Sequence, residues 1–260
     1  MVAPDDVATS TVAELRGEAA DHVSFSQAIT KKDKLGCEYA YVPKMRFLRG
    51  ETRQIDEIRA PFYLARYPVT KAQFLEFLRD TGYDYSPIHL QLMDRISPDP
   101  DCPATPISWW DAKYYIRWLR YRTQEYYSLP TEAEWEATCR GTDGRRYPWG
   151  NANPTDLHAC FSAGKVRETT DIVGTHPLGN SPFNCCDLVG NVWEWCLDSV
   201  DEEGEIHVLR GGSCQESISS CTCTSRSFIS PANLRVNYAG FRVIYLPDAM
   251  FEEYCRAHSL

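Results

Sequence analysis

Apolar positions follow helical spacing in the first half of the chain and short alternating runs in the second. In "KAQFLEFLRD", Phe74, Leu75 and Leu78 share one helical face, Thr70 precedes the run with Gln73 three residues later, and Gly82 follows. That pattern predicts a capped helix from Lys71 to about Asp80. Ser108 with Asp111 and Thr131 with Glu134 repeat the signal. They predict a helix from about Trp109 to Arg122, with Trp110, Tyr114, Ile116, Trp118 and Leu119 as its apolar positions, and a short amphipathic helix from Glu132 to about Arg140. Strand-like alternation marks "YAYVPKMRFLRG", "IRAPFYLARYPVT", "GNVWEWCLD", "HVLRGGS" and "GFRVIYL".

Helices therefore come early, and short strands joined by Gly-, Pro- and Asn-rich loops come late. This predicts a loop-rich α+β domain over residues 36–260. Long loops inside a compact domain are usually functional or stiffened by a metal. Residues 1–35, polar and ending in "KKDK", read as an extension or oligomer arm outside the core.

Aromatic residues make up 12% of the chain, which points to a packed domain. The net charge of −9, with no long basic run, argues against nucleic acid as a partner. The first residues carry acidic groups where a secretion signal would be basic, and no run approaches a membrane span, so a cytoplasmic location is the default expectation. The 11 cysteines lack C-x-x-C pairing and are expected to be reduced thiols, forming neither a disulfide framework nor a zinc site.

The segments "YPVTKAQFLEFLRDTGY", "PISWWDAKYYIRWL", "LPTEAEWEATCRGTDGRRYPWGN", "LVGNVWEW", "LRGGS" and "GFRVIY", in this order, resemble the formylglycine-generating enzyme (sulfatase-modifying factor) superfamily over about residues 40–245. The resemblance implies an elaborated C-type-lectin-like fold. It does not fix function, because the superfamily holds oxidases, iron enzymes and binding proteins. Trp135, Trp149, Trp193 and Trp195 read as core plugs. Arg210 and Arg242 are expected to pin the two ends of the interval between them by forked hydrogen bonds, with Gly211, Gly212 and Gly240 allowing close backbone approach.

In the copper-dependent oxidases of the superfamily, two cysteines lie three and eight residues after the Ser of "GGS", and paired thiolates suit Cu(I). Here those positions are Glu216 and Cys221, so one ligand is missing. Cys214 is displaced from the required position, and Cys223 is too close to Cys221. The six histidines are dispersed without an H-x-x-x-H pair, unlike the ligands of the iron-dependent relatives. No cofactor is required on this reading, and catalysis is unsupported. The resemblance also implies a calcium site at Asp187 with the carbonyls of Val189, Gly190 and Val192, although a turn-capping role would account for Asp187 equally well. A second calcium position would need Asn near residue 160, where this chain has Cys160.

Residues 214–239 mix Ser, Cys, Thr, Ile and Phe without helical or strand periodicity, between the fixed-looking Arg226, Pro231 and Arg235. The interval resembles that of the variable proteins of diversity-generating retroelements, in which adenine-directed mutagenesis rewrites Asn codons. Such rewriting never yields Lys, Met or Trp, and none occurs in the interval. Gln215 and Glu216 also lie outside its reach. The resemblance implies a non-catalytic, ligand-binding display protein. Its hypervariable surface would comprise Cys214, Glu216, Ser217, Ser219, Cys221, Cys223, Ser225, Phe228, Ser230, Val236, Asn237 and Tyr238, facing a protein or other macromolecular ligand. The alternative is a copper-dependent cysteine oxidase with an altered site.

Overall fold

Three helices begin at the capping boxes expected from sequence: α1 (Lys71–Thr81), α3 (Trp109–Thr123) and α4 (Glu132–Arg140). In each, the cap hydroxyl accepts the N–H of the third helical residue, whose side chain accepts the cap N–H in return. Gly82, with φ of +63°, ends α1 in the left-handed conformation. Two further helices, α2 (Pro87–Ile96) and α5 (Asp248–His258), lacked a comparable start signal. The computed structural model describes residues 30–258 except Val166 and Ser230. The extension expected over residues 1–29 lies outside the described residues.

Strands β1 (Thr30–Lys32), β2 (Glu38–Val42), β5 (Phe62–Ala65), β11 (Ile244–Leu246) and β6 (Tyr126–Ser128) form an antiparallel sheet in that order. Thr30–Lys32, expected to lie outside the domain, is its edge strand. Its inner strands are buried on both faces, following the two-residue period of strand side chains, while β1 is exposed. Ala40, Leu64 and Ile244 are cross-strand neighbours packed into one core with Trp135, while Tyr39, Tyr127 and Tyr245 face the other core with Tyr115 and Trp195. A hairpin of β3 (Met45–Arg49) and β4 (Gln54–Ile58) covers α4, and β10 (Ala239–Gly240), β7 (Trp193–Ser199), β8 (His207–Arg210) and β9 (Arg226–Ile229) form a second sheet in that order.

Two helix faces differ from expectation. In α1 the buried aromatic beside Phe74 is Phe77, and Leu75 is exposed. In α3 the core stripe is Trp109, Ala112, Tyr115, Ile116 and Leu119, whereas Trp110 and Tyr114, each 43% exposed, form a separate outward pair. Adjacent tryptophans cannot both face one core, and helical geometry selects the Trp109 register. The short helix α4 is buried almost all round, contrary to its expected amphipathic character. Its carboxylates are paired: Glu132 meets Arg210 and Arg226, and Glu136 meets Arg140 and Arg210.

Beneath these elements, Arg242 grips both carboxylate oxygens of Glu194 at 2.7 Å, and both residues are fully buried. Trp135 Nε1 donates to the same carboxylate at 2.7 Å. Arg242 also donates to the carbonyls of Ala65, Arg66 and Cys186. Glu194→Ala would leave a guanidinium buried without its counter-ion, which costs about 3–5 kcal/mol. Denaturant unfolding should show that loss, and a change below about 1 kcal/mol would contradict this structural role.

Candidate binding surface

The interval 214–239 leaves the platform at Arg210 and returns at Arg242, and both ends are clamped. Arg210 donates to Glu136 Oε2 at 2.7 Å and Glu132 Oε1 at 3.3 Å, and reaches the carbonyls of Cys223 and Thr224. Midway, Arg226 pairs with Glu132, and Arg235 makes two 2.8 Å contacts with the Asp111 carboxylate. At Gly211 and Gly212 an added Cβ would meet Leu188 O at 2.5 Å and Cys221 Sγ at 2.7 Å, so close backbone approach requires glycine. Gly240 is crowded as well, with Ala104 O 2.9 Å from where its Cβ would lie.

Between these clamps the side chains sort by direction. Ser217, Ser219, Phe228 and Asn237 are exposed, as expected for a recognition surface. Ser225 and Val236 are half-buried: the Ser225 hydroxyl accepts the Thr222 N–H, and Val236 bridges to Ile107. Cys214, Cys221, Cys223 and Tyr238, expected on the surface, are buried. Small sulfur side chains fill space beneath the loop, and the Tyr238 hydroxyl donates to Glu168 O. Ser230 lies outside the described residues. The interval expected to lack strand structure contains β9, whose exposed Phe228 packs beside Arg226.

Cys223 is joined to Cys139 of α4 in a disulfide, contrary to the expectation of reduced thiols throughout. The two lie 84 residues apart, so sequence spacing gave no hint of the pairing. Both are fully buried, and the Cys223 N–H donates to Arg146 O.

At Glu216 and Cys221, the two positions where the sequence resemblance implies copper-binding thiols, the structure has a satisfied carboxylate and a buried thiol. Glu216 Oε1 accepts the Trp193 indole N–H at 3.0 Å, and Oε2 accepts the Ser213 N–H at 2.7 Å as well as its hydroxyl. Burial and the nearby Glu216 push the Cys221 thiol up to about 12. Asp187 is buried near its predicted turn with φ of +55°; Oδ2 accepts the Gly174 N–H at 2.7 Å, while Oδ1 has no protein partner. Val189, Gly190 and Val192 are buried beside it in sequence.

Trp110 and Tyr114, expected among the apolar core positions of α3, belong to the surface around the interval. The Trp110 N–H donates to Ala232 O at 3.4 Å, within the 231–235 loop that also exposes Leu234. Tyr114 packs against Tyr83, whose hydroxyl reaches the Asp111 carboxylate that holds Arg235. The doublet Trp109–Trp110 was the available signal, since one of two neighbouring indoles must point away from the core.

A model of the sulfatase-modifying factor enzyme 1-like domain matches residues 36–246. The chain belongs to that family. Its fold is C-type-lectin-like, elaborated with long loops. The formylglycine-generating enzyme of Thermomonospora curvata is 30% identical over 227 residues, covering 61% of this chain and 73% of that protein. The hercynine oxygenase of Mycobacterium tuberculosis is 29% identical over 199 residues, covering 58% of this chain and 45% of its own length. The serine/threonine-protein kinase pkn1 of Chlamydia caviae is 28% identical, with 82% of this chain matched to 38% of that protein. The chain thus spans less than half the length of the oxygenase and the kinase. Among solved structures, PvdO from Pseudomonas aeruginosa has a TM-score of 0.70 at 24% identity, covering 85% of this chain and 98% of its own. Treponema denticola variable protein 1 has 0.62 at 18%, covering 84% and 99%. These two likenesses show a shared fold. No helix among the described residues is long and apolar enough to cross a membrane.

The disulfide has a direct chemical consequence. Unfolded but unreduced protein should present nine titratable thiols, rising to eleven after reduction. Thiol titration in denaturant checks this, and eleven thiols before reduction would contradict the Cys139–Cys223 bond.

Proposed function

We propose that this family member is a non-catalytic display protein whose outward side chains in residues 214–239 recognise a protein or other macromolecular ligand and are diversified by a retroelement. The observation that carries the reading is the division within the interval. Cys214, Cys221, Cys223, Ala232 and Tyr238 are buried, while Ser217, Ser219, Phe228, Leu234 and Asn237 project from a clamped backbone. Exposed positions of this kind tolerate substitution at about 0.5 kcal/mol or less, so recognition can change without unfolding the platform. Phe228, Leu234, Trp110 and Tyr114 supply apolar and aromatic anchors, and Ser and Asn supply adaptable hydrogen bonds. The fold shared with Treponema denticola variable protein 1 supplies a precedent for the variable-protein reading.

The oxidase alternative draws on the formylglycine-generating relatives. Glu216 opposes it, because a carboxylate already engaged by Trp193 and Ser213 replaces one of the two soft ligands. The buried, unpartnered Asp187 Oδ1 fits a hard cation, and we assign Asp187 with the carbonyls of Val189, Gly190 and Val192 as a structural calcium site. Calcium there would supply charge neutralisation to the turn preceding β7.

Two measurements test the reading. Reduced protein supplied with Cu(I) and a cysteine-containing peptide should provoke no oxygen consumption. The DNA beside the gene should carry a reverse transcriptase and a near-copy of codons 214–239 that differs at adenines. Copper-dependent peptide oxidation would establish the alternative, and absence of the near-copy would remove the retroelement.

A further inference from the structure

A second constellation lies beneath the interval, away from its exposed face. Cys160 Sγ, one Asp171 carboxylate oxygen and one His176 ring nitrogen all lie within 4.8 Å of one another. Cys160 and His176 are buried, and Asp171 is half-buried. Cys214, also buried, packs in the same small cluster as Cys160 and brings a fourth donor alongside. From these donors we infer that Cys160, Asp171, His176 and Cys214 form a binding site for a borderline-soft divalent cation, Zn²⁺ above all.

The chemistry and the supports agree. Two sulfurs, one imidazole nitrogen and one carboxylate oxygen suit Zn²⁺, whereas Ca²⁺ takes oxygen ligands. Zinc bonds of about 2.0–2.3 Å would place tetrahedral donors roughly 3.3–3.8 Å apart, and His176 Nε2 and Asp171 Oδ2 already lie 3.1 Å apart. His176 Nδ1 donates to Asp156 O at 2.6 Å, which leaves Nε2 facing the cluster, 3.1 Å from Asp171 Oδ2. A second hydrogen bond of this kind orients metal-bound imidazoles. The other Asp171 oxygen is held by Arg167. With both thiols ionised, three negative charges would meet Zn²⁺ and the Arg167 guanidinium, leaving the cluster neutral, and the displaced thiol and imidazole protons would pass to solvent.

Fully buried Asn191 holds three of the four donor segments in place. Its N–H donates to Cys160 O at 2.8 Å, its carbonyl accepts the Cys214 N–H at 3.0 Å, and its side-chain amide bonds both the N–H and the carbonyl of Asp171. The site joins loop 156–162 to the start of the variable interval, where Ser162 N–H also donates to Glu216 O. A bound cation would therefore stiffen the floor beneath Ser217. This inference stands independently of the ligand-binding reading, because a binding protein or an enzyme could use such a brace.

The test is anaerobic titration of the full-length chain, its exposed thiols reduced, with Co²⁺ as the spectroscopic probe. The expected result is one equivalent giving tetrahedral d–d bands and thiolate-to-metal charge transfer, both erased by stoichiometric Zn²⁺, with a Zn²⁺-dependent rise in Tm. Cys160→Ser and His176→Gln should each weaken binding by more than about 10-fold, while Cys255→Ser should leave it unchanged. His176→Gln keeps both thiols and provides the second test if Cys160→Ser fails to fold. Absence of a thiolate band in the wild type, an unchanged band in His176→Gln, or a Tm that Zn²⁺ leaves unchanged would overturn the inference.

Discussion

The buried contact of Arg242 with Glu194 is the constraint on which the rest of the architecture depends. One carboxylate receives two guanidinium N–H groups and the Trp135 indole, so β7, α4 and the segment entering β11 are joined at a single point. The remaining guanidinium protons satisfy carbonyls at the end of β5 and at Cys186. Such a group is costly to bury and more costly to leave half-paired, which favours one arrangement of these segments. Loop-rich structure has few ladder hydrogen bonds of its own, and here buried ionic contacts between side chains and carbonyls take their place.

The second arginine centre, at Arg210, extends the same logic to the candidate surface. Glu132 and Glu136 on α4 collect Arg210, Arg226 and Arg140, fixing both the departure of the interval from β8 and its return along β9. Arg235 and Asp111 do this again beside α3. The Cys139–Cys223 disulfide ties the underside of the loop to the same helix. Backbone order is thus supplied from below, and the side chains pointing outward contribute little to it. This separation lets one platform carry many surfaces, and it is the physical basis of the ligand-binding reading.

Features carried by local interactions were legible in the sequence. The three capping boxes and Gly82 act within a few residues, so hydroxyl, carboxylate and glycine spacing revealed them directly. Arg210, Arg242 and the glycines at Gly211 and Gly212 were also readable as framework, because they lie in the motifs "LRGGS" and "GFRVIY" at the two ends of the interval. Partners distant in the chain were not legible. Glu132 and Glu136 looked like the polar face of a surface helix until arginines from other segments covered them. Cys223 resembled a variable surface residue although its partner lies on α4, and Cys160, Asp171, His176 and Cys214 have no recognisable ligand spacing. Trp109 and Trp110 are equally apolar in sequence, and only the helical phase set by Ala112, Tyr115 and Ile116 distinguishes the two.

Saturation mutagenesis of codons 214–239, read out as the abundance of folded protein, tests most directly the separation of platform from decoration. The account predicts broad tolerance at Ser217, Ser219, Phe228, Asn233, Leu234 and Asn237, and sharp intolerance at Cys214, Cys221, Cys223, Ala232 and Tyr238, with the boundary following burial. Uniform intolerance across the interval, or tolerance unrelated to burial, would contradict it.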